Sequence, residues 1–180
     1  ESMRIDKDTA IHSYFMSHWK HFFPKLGCMT SYSKQAANLW KLKVKIQEEI
    51  AKSLLPDSRE LSIIDGFPMP ICNFRRAKGL KIFRDTASYG YCAAKDVHYY
   101  GFRGHLLIDK SGVILGVTVV PANIDEREAM FDLLPLAAKD ILGDKGYLCS
   151  PETKEDLSMI GKNLHTPLRK NMKEKRPKNL

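Results

Sequence analysis

Between Gly101 and Val120 the chain permits one local structure above all others. Gly101-Phe102-Arg103-Gly104-His105-Leu106-Leu107-Ile108-Asp109 is a strand-like run, Lys110-Ser111-Gly112 is a tight turn, and Val113 to Val120 is a second run. Turn residues between two β-branched and apolar stretches specify a hairpin. Asp109 falls where the hairpin turns, and an aspartate there serves local hydrogen bonding, so its expected role is structural.

Two other stretches share a pattern. Leu61-Ser62-Ile63-Ile64-Asp65-Gly66 and Ile141-Leu142-Gly143-Asp144-Lys145-Gly146-Tyr147 are each a short apolar run that ends in an acid and a glycine. Each reads as a strand carrying one carboxylate to the end of a sheet, where the chain turns. Either acid alone is explained as a turn aspartate. Two of them in a basic chain point to a divalent-metal site that works on phosphates. The net charge of +8 and pI near 9.3 favour an anionic partner, nucleic acid first, against the alternative of a merely solvated basic surface.

With 180 residues, 43% hydrophobic and 28% charged, the chain is long enough for one domain with a proper core and is ordinary for a globular protein. No apolar run is long enough to span a membrane, and Glu1-Ser2-Met3 does not open a signal peptide. Cys28, Cys72, Cys92 and Cys149 show no zinc spacing and read as buried free thiols of a reducing, cytoplasmic setting.

Residues 1–58 read as a helical N-terminal region. Ile11, Tyr14, Phe15, His18, Trp19, Phe22 and Phe23 recur at helical intervals up to Pro24, and a longer helix is expected after Thr30-Ser31 until Pro56-Asp57-Ser58. His12, His18 and His21 lack a carboxylate at ligand spacing and read as core-edge residues. Residues 59–168 hold the strands. Gly66-Phe67-Pro68-Met69-Pro70 is expected to end the first strand, because the prolines lack donors. Residues 71–100 read as irregular, with Arg75, Arg76, Lys78, Lys81 and Arg84 interleaved with Tyr89, Tyr91, Tyr99 and Tyr100. Such a stretch either grips phosphates while stacking on unpaired bases, or packs its tyrosines on the core. After the hairpin, Asn123 or Asp125 caps a helix with Glu126 and Glu128 in its first turn, which accounts for these acids without chemistry. Ser150-Pro151 opens another helix, and residues 163–168 form a final strand. Residues 169–180 are a basic tail.

Strands with interspersed helices predict an α/β fold, a mixed sheet flanked by helices. The motifs at Ile63-Ile64-Asp65-Gly66, Gly101 to Asp109 with Gly112, Val119-Val120-Pro121-Ala122-Asn123-Ile124-Asp125 and Leu142-Gly143-Asp144-Lys145-Gly146-Tyr147 stand in an order that resembles the catalytic domain of bacterial insertion-sequence DDE transposases. The resemblance covers roughly residues 60 to 170 and implies a ribonuclease-H-like fold.

It further implies that Asp65 and Asp144 are the first two catalytic, metal-binding acids, with Asp65 bridging two Mg²⁺ ions about 3.5–4 Å apart and Asp144 holding one of them. Mn²⁺ substitutes for Mg²⁺. Arg103, His105, Lys145, Arg75 and Arg76 are the candidate DNA contacts, His105 with the alternative of a packed strand histidine. The implied partner is double-stranded DNA at the element's ends and target, cut and joined by a homo-oligomer. The family's third acid, a glutamate on a later helix, is matched by none of Glu152, Glu155 and Glu174. The expectation is therefore a fragment of weak or no activity. A non-catalytic DNA-binding remnant is the alternative, and another ribonuclease-H-like nuclease would need Asp109 or Asp125 in the site.

Overall fold

The computed structural model describes residues 7–55 and 60–168. The chain forms two compact units, Glu1–Ser53 and Leu54–Leu180. The ends expected at Pro56-Asp57-Ser58 and the basic tail from Arg169 lie outside the described residues.

The first unit is helical: α1 Asp8–His18, α2 Met29–Asn38 and α3 Trp40–Leu54. The first helix ends at His18, earlier than Pro24. The single helix expected after Ser31 is divided at Leu39, which leaves helical geometry at φ −84°, ψ 14°. Trp40, Leu42, Val44 and Ile46 stay exposed. Spaced by two, they wind around a helix of 3.6 residues per turn and cannot form one stripe. His12 Nε2 lies 2.8 Å from the Gly27 carbonyl and His18 Nδ1 3.1 Å from that of Tyr14, so these histidines serve local bonding.

The second unit is built on a six-stranded mixed sheet of β1 Leu61–Asn73, β2 Ser88–Cys92, β3 Val97–Asp109, β4 Ile114–Pro121, β5 Asp140–Leu142 and β6 Asn163–His165. The order is β2-β3-β1-β5-β6, with β4 also on β3. β1 and β3 pair antiparallel from Ser62↔Asp109 to Asn73↔Tyr99. β2 covers the first stretch of the other edge of β3, and β4 covers the rest. β5 joins β1 in parallel and β6 joins β5 in parallel. The helices are α4 Glu126–Phe131 and α5 Pro151–Met159. This is the mixed α/β architecture expected of a ribonuclease-H-like fold.

The hairpin forms as its sequence demands. Asp109 Oδ1 accepts from the Ser111 and Val113 N–H groups, each at 2.9 Å, and Gly112 takes φ +83°, the region only glycine enters freely. Asp125 caps α4 by accepting from the Arg127 N–H, and Ser150 caps α5 by accepting from that of Thr153. Two expectations need correction. β1 does not stop at Asp65 but runs through Pro68 and Pro70 to Asn73. These prolines are two residues apart, so their missing donors share one edge, and β5 pairs with β1 only as far as Ile63. Residues 71–100 are likewise ordered, holding the end of β1, a 3-10 turn at Phe74–Gly79, β2 and the start of β3. β-pairing with β3 overrides the weak local pattern. The four cysteines are free as expected, but Cys28 is exposed and the others only half-buried.

Ile64, Leu107, Met130, Leu133, Ile141, Tyr147, Leu157 and Leu164 form the core between the sheet and the helices. Inside it, His105 is 0% exposed, with Nδ1 2.6 Å from the Tyr147 hydroxyl. Burial, then the Arg103 charge, holds the imidazole below its ordinary pKa, against weaker opposing pulls from Asp65 and Asp132.

Leu107 is 1% exposed, so Leu107→Ala should lower unfolding free energy by about 2–5 kcal/mol in a urea titration. His105 gives a pH signature. Its unfolded imidazole takes a proton near pH 6.5 while the folded one resists, so the unfolded state binds more protons as pH falls. Stability should therefore decline on acidification below that pH, and urea midpoints should show a shallower decline in His105→Gln.

Candidate functional site

The parallel register of β1 and β5 sets the geometry. Pairing runs Leu61↔Asp140, Ser62↔Ile141, Ile63↔Leu142. Two residues beyond the last pair on either strand stand Asp65 and Asp144, so the acids hold matching positions, Asp65 within β1 where it continues past β5 and Asp144 just after β5 ends. The buried Ser62 hydroxyl, which accepts from the Ala138 N–H at 2.8 Å, ties β1 to the segment entering β5.

Each exposed carboxylate is oriented by its own backbone. Asp65 Oδ1 accepts from the Gly66 N–H at 2.8 Å. Asp144 Oδ1 accepts from the Gly146 N–H at 2.8 Å and caps the 3-10 turn Lys145–Tyr147. Among the described residues no hydrogen bond engages either Oδ2.

A third carboxylate lies beside them. A Cβ built on Gly146 would overlap the Glu126 carboxylate and stand 3.0 Å from Asp144 Oδ1. Gly146 is thus where the chain leaves room for acidic oxygens. Glu126 Oε1 accepts from Arg103 at 3.0 Å, and both side chains are about one-fifth exposed. Burial raises the Glu126 pKa, Arg103 opposes that, and the nearby charges of Asp144, Asp125 and Asp65 raise it further. The buried Tyr147 hydroxyl is also pushed up, by burial first and then by Glu126, Asp65 and Asp144. Three acids, one arginine and the His105–Tyr147 pair therefore share one electrostatic neighbourhood.

The expected site residues divide. Asp65 and Asp144 both act on Glu126 and Tyr147, and Lys145 is exposed next to Asp144. Arg103 reaches the same place, though its guanidinium is paired with Glu126 and also donates to the Tyr91 carbonyl at 3.4 Å. Arg75 and Arg76 are exposed on the 3-10 turn after β1, beyond Asn73 and away from the strand ends. His105 as a DNA contact is corrected: it is enclosed, and its packed alternative holds, because its position on β3 faces the core under Tyr147.

Asp109 is held by its own turn. Asp125 is gripped by Arg127, whose hydrogen bonds bring its pKa down to about 2. Neither is free to join the pair. Glu126 is the acid that sequence reasoning passed over, since a first-turn glutamate is already explained by the helix dipole. Its closest sequence signal was Gly146, small where an acid needed space.

Among the described residues no three His, Cys, Asp or Glu side chains converge as a metal-holding group. The donors at the strand ends are nevertheless hard carboxylate oxygens, the type that magnesium takes, and magnesium is held by one or two carboxylates completed by water and substrate phosphate. Asp65, Asp144 and the cradle at Gly146 fit that requirement.

No curated protein matches the chain. The family described as transposase DDE domain matches residues 56–179, more than two thirds of the chain and spanning both strand-end acids. The chain belongs to the transposase DDE domain family.

Proposed function

We propose that the core at residues 59–168 cleaves DNA phosphodiesters and transfers strands at the ends of an insertion sequence, with Asp65 and Asp144 as its catalytic carboxylates. The observation that supports this reading is the parallel register of β1 and β5, in which Asp65 and Asp144 each lie two residues past the last pair. Glu126 stands as a third acid at the same place, held by Arg103.

Asp65 and Asp144 would hold divalent magnesium, or manganese in its stead, which when bound would supply Lewis-acid activation of a water or 3′-hydroxyl nucleophile and stabilisation of the leaving oxygen. The chain's own residues do the rest. Asp65 and Asp144 offer hard oxygens on carboxylates whose orientation the Gly66 and Gly146 N–H groups fix in advance. Preset orientation removes the cost of ordering these groups as substrate arrives. Lys145, exposed beside Asp144, offsets the repulsion between a DNA phosphate and the acids. Arg103 keeps Glu126 from adding a bare negative charge to that approach. Arg75 and Arg76 contact phosphates further along the duplex, where they add affinity without sequence information. Double-stranded DNA is the substrate, and the enzyme acts as a homo-oligomer.

The alternative is a DNA-binding remnant without catalysis, which the net charge of +8 and the exposed Lys145, Arg75 and Arg76 would serve. The same assay separates the two readings. With supercoiled plasmid and Mg²⁺ or Mn²⁺, weak nicking should occur, stop in EDTA, and fall at least about 100-fold in Asp65→Asn and Asp144→Asn, as when preorganised charge at a reacting centre is removed. Nicking unaffected by both substitutions would sink the catalytic reading. Salt-sensitive binding without nicking would leave the remnant. In either case Lys145→Ala should weaken duplex binding and make the slope of log affinity against log salt shallower by about one.

A further inference from the structure

We propose that the exposed face of the β2–β3 hairpin, together with the turn after β1, is a stacking row for unpaired DNA bases. The proposal rests on the DNA-cleaving reading above and specifies which form of DNA the site prefers.

Four rings touch in succession, Tyr89 to Phe74, Phe74 to His98 and His98 to Tyr91. Phe74 lies 5.0 Å from Tyr89 and 5.9 Å from His98, and His98 lies 4.8 Å from Tyr91. The backbone dictates the arrangement. Tyr89 and Tyr91 are two residues apart on β2 and so share a face, and Tyr91 pairs directly with His98 on β3. Phe74, first residue of the turn after β1, leans over both strands. All four are exposed: Phe74 is 50%, Tyr89 46% and Tyr91 43% exposed, with His98 beside them.

Leaving such rings in water forgoes the stabilisation that burying them gives. Arg75 and Arg76 follow Phe74 directly and bound a shallow concavity with Phe74 and His98. Cations beside exposed rings suit a strand whose phosphates need neutralising and whose bases can turn out to stack. A fully paired duplex offers the cations its phosphates but hides the base faces from the rings. The charge therefore selects DNA, and the rings select the part of it that is unpaired.

The row also reaches the acids. Arg103 donates to the Tyr91 carbonyl at 3.4 Å and to Glu126 at 3.0 Å, so one side chain joins the row to the strand-end cluster. The Tyr91 hydroxyl donates to Asp96 at 2.7 Å, which fixes the orientation of its ring. Bases freed where DNA is opened beside the scissile phosphate would thus meet a prepared surface.

The test uses the full chain, in EDTA, with two fluorescent duplexes that differ only in a short central run of unpaired thymidines. Anisotropy should show tighter binding of the interrupted duplex. Tyr89→Ala and Phe74→Leu should each lose about 5- to 150-fold for that duplex, the range of one base–aromatic stack, while binding the paired duplex like wild type. Tyr89→Phe should retain the preference, because the ring does the stacking. Circular dichroism checks that each variant folds, and Phe74→Leu keeps an apolar side chain in case Tyr89→Ala does not. Equal wild-type affinity for the two duplexes, or a preference kept by both Tyr89→Ala and Phe74→Leu, overturns the row. Plasmid nicking that depends on Asp65 but comes without a preference for unpaired thymidines counts against the row alone. A preference without nicking counts against the catalytic reading alone.

Discussion

The seam between β1 and β3 is the constraint on which the second unit depends. Eleven residue pairs from Ser62↔Asp109 to Asn73↔Tyr99, with one irregularity between Pro70 and Cys72, fix both strands along their length. A slip of one residue would turn Ile64 and Leu107, partners at the centre of this seam and of the core, to the opposite face. The same slip would carry His105 out of reach of Tyr147, while the separate β1–β5 register keeps Asp65 level with Asp144. One register thus serves the core and the His105–Tyr147 pair together.

Charge is the second organising term. Burial raises the pKa of the half-buried Glu126, Arg103 opposes this, and repulsion from Asp144, Asp125 and Asp65 adds to the rise. Arg103 is the counterweight. It projects from the same strand as Leu107, and its pairing with Glu126 lets an acid sit beside two others without leaving an uncompensated charge. The cluster is thereby poised for a ligand that brings positive charge.

Several features were legible in the residues. The hairpin at Gly101–Val120, the cap at Ser150 and the turn at Asp144 after β5 follow from local rules that the structure obeys, whereas Asp65 stands inside β1 rather than at its end. Pro68 and Pro70 were misleading because a proline's missing donor matters only where a partner strand would have received it, and a neighbour list is not a local property. Tyr89, Tyr91 and His98 read as irregular for the same reason: their strand status comes from pairing with β3. Glu126 was hidden by a sufficient explanation, since helix capping accounted for every acid near Asp125. Only its side chain's direction, across Gly146 and into Arg103, separates it from Glu128.

The sequence alone determined the turn chemistry, the two aspartates at the ends of apolar runs, the basic balance and the membership pattern of a transposase DDE domain, because these rest on residue type and short spacing. The tertiary structure decided which acids meet, that His105 is enclosed, that Arg103 is already paired, and that four aromatic rings line one exposed face. Each of these depends on contacts between residues distant in the chain, such as the 42 positions between His105 and Tyr147. Strand pairing creates such contacts, and no local pattern encodes them.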